Sequence, residues 1–309
     1  MPYFKSMIVC ALFAAGHLRA EPPRVVTDIA PIHSLVAQVM VGIDTPTLTI
    51  PAKSSPHNYA LRPSQVAALA DANIVFIVDT GLTPWIEEKF DTLAPNAKLI
   101  VLSEINGTFT LPYRESAEFE DDSHKHEHDH EEADDHATID PHLWLDPKNA
   151  VLWLPQIARE LAKIDSINGS IYHKNAEAAA LALQQLNDTI STKLAGSSNK
   201  PFVVFHDGYQ YFERRFGLAA LGAISLGDAS SPSPKRIQSI KTAIEKTNAK
   251  CIFSEPQFNK GLIETVTKGL QITVAELDPM GVDHPAGPDL YAALLVGLTG
   301  QFHQCLNAQ

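Results

Sequence analysis

His57, His142 and His206 stand far apart in the chain, and each lies where a strand-like run gives way to a loop. Imidazole nitrogen is a borderline-soft donor that suits a divalent transition ion, with zinc the first candidate. Between the first two lies a run in which His124, His126, His128, His130 and His136 alternate with acids. Such a flexible acidic segment is expected to collect zinc weakly at several stoichiometries, because ordering entropy keeps its affinity below that of a preformed site. Asp278 is the fourth candidate ligand: it ends the run Ile272 to Leu277 and precedes Pro279, which cannot continue a central strand. Three imidazoles with a carboxylate or a water make a tetrahedral set with bonds of about 2.0 to 2.2 Å.

Those positions need elements to hold them. From Arg24 onward, β-branched runs at 25–27, 48–50, 74–78 and 99–102 alternate with helical patterns near 31–41, 63–72 and 84–91. A second set has strand runs at 202–205, 220–226, 251–254 and 272–277, with helical patterns near 208–216, 234–247, 259–269 and 289–306. This βα alternation predicts parallel sheets with helices on both faces. Residues 148–194 lack strand signals and are rich in Ala, Leu, Gln, Lys and Glu, so 148–164 and 170–194 read as helices broken near Asn168-Gly169. The expected fold is α/β, with two doubly wound lobes (21–147 and 195–309) joined by the helical link 148–194. Ligands of open parallel sheets bind beyond the carboxyl ends of the strands, which directs all four candidates towards a cleft between the lobes. A helical link resists bending, so the lobes are expected to move little.

The chain has 309 residues, enough for two such lobes, and a formal charge of −12. Residues 115–136 hold eleven acids against Lys125, which accounts for −10 of that charge. The segment 114–137 is too polar to offset its own ordering entropy and is expected to be a mobile loop. The first twenty residues have no acid, an early Lys5 and an apolar run from Met7 to Ala15. They read as a secretory signal cut after Ala20, and no later run spans a bilayer. Loss of Cys10 with the signal leaves Cys251 and Cys305, an even pair that in an exported chain favours a disulfide over two buried thiols.

His33, His173, His284 and His303 read as structural, whereas Tyr59, Asp207 and Glu255 are candidates to hold the far nitrogen of a ligating imidazole. A secreted zinc hydrolase could also use three histidines. The chain, however, has no His-Glu-x-x-His helix, Gly-x-Ser-x-Gly elbow or Walker lysine to support catalysis. A metal buffer or adhesin is a third class that sequence does not separate from a receptor. The negative balance, with no basic stripe, disfavours nucleic acid.

Six stretches carry a family resemblance: Pro56 to Ser64, Asp140 to Pro147, Phe205-His206-Asp207, Pro232 to Lys235, Phe253 to Phe258, and Leu277 to Gly281. Together they resemble the periplasmic zinc-binding proteins of zinc-uptake ABC transporters, the ZnuA-type branch of the cluster A-I solute-binding family. The resemblance implies two α/β lobes joined by one long helix, with metal held between them by His57, His142 and His206. It also implies a bridge between Cys251 and Cys305. Manganese members carry a carboxylate where His206 stands, so the third imidazole favours zinc. Some zinc members have Glu just before the first histidine, where this chain has Pro56, which leaves Asp278 or water for the fourth position. The function implied is a periplasmic, monomeric receptor, not an enzyme, that captures Zn2+ and delivers it to a membrane permease driven by an ATPase.

Overall fold

The computed structural model describes residues 21–114, 139–225, 232–258 and 260–308. The expected signal at 1–20 and the five histidines of the acidic segment lie outside them.

Two four-stranded sheets organise the chain. The first has the order β2-β1-β3-β4, from β1 (Val25–Thr27), β2 (Thr47–Leu48), β3 (Ile74–Ile77) and β4 (Lys98–Val101). The second has the order β6-β5-β7-β8, from β5 (Phe202–His206), β6 (Ala220–Ser225), β7 (Cys251–Ser254) and β8 (Thr273–Glu276). All strand pairs are parallel. The central strands explain why: every residue of β3 and β5 is buried, as strands covered by helices on both faces require.

Helices α1 (Ala30–Val39), α2 (Pro63–Ala70) and α3 (Pro84–Leu93) cross over within the first sheet. Within the second, α6 (Gln210–Phe216), α7 (Pro234–Thr247) and α8 (Lys260–Thr267) do the same, and α9 (Leu290–Asn307) closes the chain. Several helices start on a proline, whose missing N–H and fixed φ suit a first turn. Two helices link the sheets, α4 (Pro147–Ile164) and the 26-residue α5 (Gly169–Leu194), which spans about 39 Å at 1.5 Å per residue. The break between them falls at Asn168-Gly169, where the sequence places it.

One apolar core runs through both halves. Leu35 and Val36 of α1, Trp153 and Ile157 of α4, Leu183 of α5, and Leu298 and Phe302 of α9 belong to it. Polar ties cross the same seam. Ser34 Oγ donates to Pro288 O at 3.0 Å and accepts from Tyr291 N at 3.0 Å, while Trp144 Nε1 donates to Pro279 O at 2.8 Å. Lobes that share a continuous hydrophobic core lack the wet, separable interface that permits hinge motion.

A disulfide joins Cys251, at the start of β7, to Cys305 in α9. Closing a span of 54 residues contributes roughly 4 kcal/mol in the chain-entropy treatment.

Candidate metal centre

His206 is the last residue of β5, and the parallel register places it level with the residue just beyond β7. Val204 pairs with Phe253, so two residues further on His206 meets Glu255. Its Nδ1 lies 2.5 Å from Glu255 Oε1, and both side chains are buried. His142 sits in the turn before the short 3-10 segment Leu143–Leu145, and Asp140 holds it twice. Asp140 Oδ1 accepts from the His142 backbone N–H at 2.9 Å and lies 2.6 Å from His142 Nδ1.

Asp140 is in turn held from the other lobe. Gln210 Nε2 of α6 donates to its second oxygen at 2.5 Å, and Tyr211 OH donates to its backbone carbonyl at 2.8 Å. Burial pushes the Asp140 carboxyl up, but the adjoining His142 and the Gln210 hydrogen bond outweigh it and hold the group below the usual carboxylate range.

A carboxylate beside Nδ1 fixes the proton there and leaves Nε2 as a lone pair. In both residues Nε2 then points into the seam, and the two Nε2 atoms are 3.2 Å apart. Two nitrogens this close need a proton or a cation between them, which a hydrogen bond or a bound divalent ion would each supply. Gly208 makes this close approach possible. A Cβ there would stand 2.5 Å from His206 Nε2 and 3.2 Å from His142 Cδ2.

His57 comes from the half-buried loop after β2, with its ring centroid 5.5 Å from that of His142. Together the three histidines line one cleft with Ser55, Pro56, Trp144, Glu255, Gln257, Phe258, Pro279 and Met280. The rings are close without being closed into a coordination sphere: among the described residues no three ligand-type side chains already stand in coordinating positions. His142 and His206 bring their Nε2 atoms together, whereas His57 approaches them by a tilted ring contact with His142. The apolar walls, with Trp144 5.2 Å from His142 and Phe258 5.6 Å from His206 by ring centroids, keep the local dielectric low.

Asp278 is placed differently. Its carboxylate accepts from the backbone N–H groups of Met280 at 3.1 Å, Gly281 at 2.9 Å and Val282 at 2.5 Å, so it caps the turn after β8. The cleft wall at that point is made by Pro279 and Met280.

Of the three residues expected behind the imidazoles, Glu255 is there. Tyr59 OH instead accepts from Gln65 Nε2 at 2.8 Å, and Asp207 pairs with Arg114. Asp140 was not among those expected; its signal is the Asp-Pro-His spacing, which lets one carboxylate reach both the backbone and the ring two residues on. His33 is buried, with Nε2 2.9 Å from Pro46 O, while His173 and His284 are exposed. None of these, nor His303, lines the cleft.

An ion cluster lies beside the site. Arg114 spans Asp207 and Glu213 of the second lobe, its Nε 2.9 Å from Asp207 Oδ1 and its Nη1 3.1 Å from Glu213 Oε2. Burial works against the Arg114 charge, but Glu213 and Asp207 outweigh it and hold the guanidinium protonated. Asp207 itself is raised by burial, which Arg114 only partly offsets.

Residues 25–305 match the family described as "Zinc-uptake complex component A periplasmic". The chain is 38% identical over 320 aligned positions to the high-affinity zinc uptake system protein ZnuA of Paracoccus denitrificans, covering 98% of each. It is 34% identical over 333 aligned positions to the protein of the same name from Brucella suis, covering 99% of this chain and 100% of that one. Among solved structures, a zinc-bound ZnuA deletion mutant superposes with a TM-score of 0.77 at 22% identity, covering 93% of this chain and 99% of the other. A mutant of the laminin-binding adhesin Lmb of Streptococcus agalactiae has the same TM-score at 23% identity, covering 92% and 100%. At these identities the two structures speak for the fold.

Proposed function

The chain belongs to the periplasmic zinc-uptake component A family, and from that premise we propose that it captures Zn2+ between its lobes on His57, His142 and His206. Membership makes it a solute-binding receptor of an ABC-type zinc uptake system rather than an enzyme. Its partners are then a membrane permease and the ATPase that drives it. Export through residues 1–20, a soluble monomeric form in the periplasm, and lobes bounded near 147 and 195 belong to the same reading. No helix among the described residues is long and apolar enough to cross a membrane.

The observation that carries the proposal is the pairing of His142 and His206, each backed by a buried carboxylate and presenting Nε2 to the other. Carboxylates behind both rings fix their orientation, which is what a zinc site needs beyond its ligands. His124, His126, His128, His130 and His136 supply weaker auxiliary zinc binding in this reading. The test is transporter dependence. A deletion strain should fail to grow only under zinc starvation and recover when zinc is restored, whereas normal growth under starvation would refute the proposal.

A further inference from the structure

Gln257 lines the cleft with the three histidines, two residues beyond Glu255. Its amide nitrogen donates to Ala52 O at 3.3 Å, across a sequence separation of 205, and Ala52 belongs to the loop that carries His57. Its amide oxygen is buried and accepts no hydrogen bond among the described residues. A buried acceptor left unsatisfied costs about 1 to 3 kcal/mol, so one persisting at a binding cleft implies a partner that arrives with the ligand.

The chemistry narrows what that partner is. Three neutral imidazoles leave one tetrahedral position on zinc, and Asp278 is engaged by three backbone N–H groups. A neutral amide oxygen suits harder cations such as calcium better than zinc, so Gln257 is a poor direct ligand. It is, however, a good acceptor for the polarised O–H of a zinc-bound water. The space enclosed by the cleft residues is about 20 Å³, enough for a water-sized group, which needs about 10 to 15 Å³.

We propose that Gln257 is a positioning residue for zinc: its Oε1 accepts a hydrogen bond from a water in the fourth coordination position, and its Nε2 latches the His57 loop through Ala52. The inference rests on the zinc-receptor reading and deepens it. One amide thus couples closure of the His57 loop to completion of the coordination sphere. Asp278 shapes the turn beside the site without touching the ion.

The test uses the full mature chain as wild type, Gln257→Leu, Gln257→Glu and Asp278→Asn. Each is titrated with zinc in competition with a chelator, and each is loaded with Co2+ to give a visible ligand-field spectrum. Gln257→Leu should bind zinc about 10- to 100-fold more weakly, chiefly through faster release. Azide should displace the water and shift the Co2+ spectrum of wild type and of Asp278→Asn. Gln257→Glu keeps an acceptor oxygen at the same place and should retain both the azide response and tight zinc binding. That retained binding also answers the objection that position 257 matters only for folding. Wild-type affinity and release in Gln257→Leu would overturn the inference alone, as would loss of the azide response in Asp278→Asn. Failure of wild type to bind zinc would overturn the receptor reading with it.

Discussion

The Nε2 atoms of His142 and His206 face each other across 3.2 Å. A tetrahedral ion about 2.0 Å from each would hold them about 3.3 Å apart, so this edge of the coordination sphere is set before any ion binds. The carboxylates that set it come from different elements, Asp140 ahead of α4 and Glu255 beyond β7. In the proposed site, little reorganisation is then left except movement of the His57 loop.

That division of labour separates His206 from Asp278. His206→Ala should lower zinc affinity by at least about a hundredfold, more than loss of a supporting group behind a ligand. Asp278→Ala should change affinity by less than about threefold but lower unfolding stability by about 1 to 2 kcal/mol, because three backbone N–H groups lose their acceptor. Competitive titration and urea denaturation read the two effects separately. Comparable affinity losses would contradict the assignment.

Arg114 should matter to stability first and affinity second. Its side chain is 22% exposed, while Asp207 and Glu213 are nearly fully buried. Arg114→Gln leaves two carboxylates without their cation and should cost about 3 kcal/mol, the low end for breaking a buried pair because the arginine is partly solvated. Because Asp207 follows His206 directly, zinc affinity should fall about tenfold as well. An unchanged melting temperature would show that the cluster contributes nothing.

Asp28, at the end of β1, is fully buried and accepts from Ile29 N at 2.7 Å and Val78 N at 2.8 Å. Burial dominates those hydrogen bonds and pushes its carboxyl up to about 7. The folded state therefore holds this proton more tightly than the unfolded chain does. The associated stability is complete below about pH 4 and is lost as pH rises to about 7. Asp28→Asn should flatten that part of the stability profile, measured by urea unfolding between pH 4 and 8. The same slope in the variant would assign it to other groups.

The acidic histidine segment should add capacity without setting the affinity of the cleft. Deleting residues 121–136 should leave one tight zinc equivalent and remove the weaker ones in calorimetry. Unchanged stoichiometry would refute an auxiliary role.

Much of this architecture is legible in the sequence because its periodicity is strong and local. The buried runs of β3 and β5, the prolines opening α2 and α7, and the break at Asn168-Gly169 are marked by adjacent residues. That His57 and His206 share a cleft is legible in part for the same reason, since His206 ends β5 and His57 lies in the loop after β2. The parts that escape depend on distant pairing. Which imidazole Glu255 holds is set only by the β5–β7 register, and Arg114 reaches partners 93 and 99 residues away. Asp278 is legible as a strand-end carboxylate, but the backbone N–H groups of Met280, Gly281 and Val282 that it accepts from are not marked in the sequence.

Anomalous diffraction at the zinc edge from crystals of the zinc-loaded mature chain tests the central claim most directly. The account requires one strong peak about 2.0 to 2.1 Å from Nε2 of His142 and of His206, with a His57 nitrogen drawn in to complete a third bond. A peak elsewhere, or none between those rings, would contradict it.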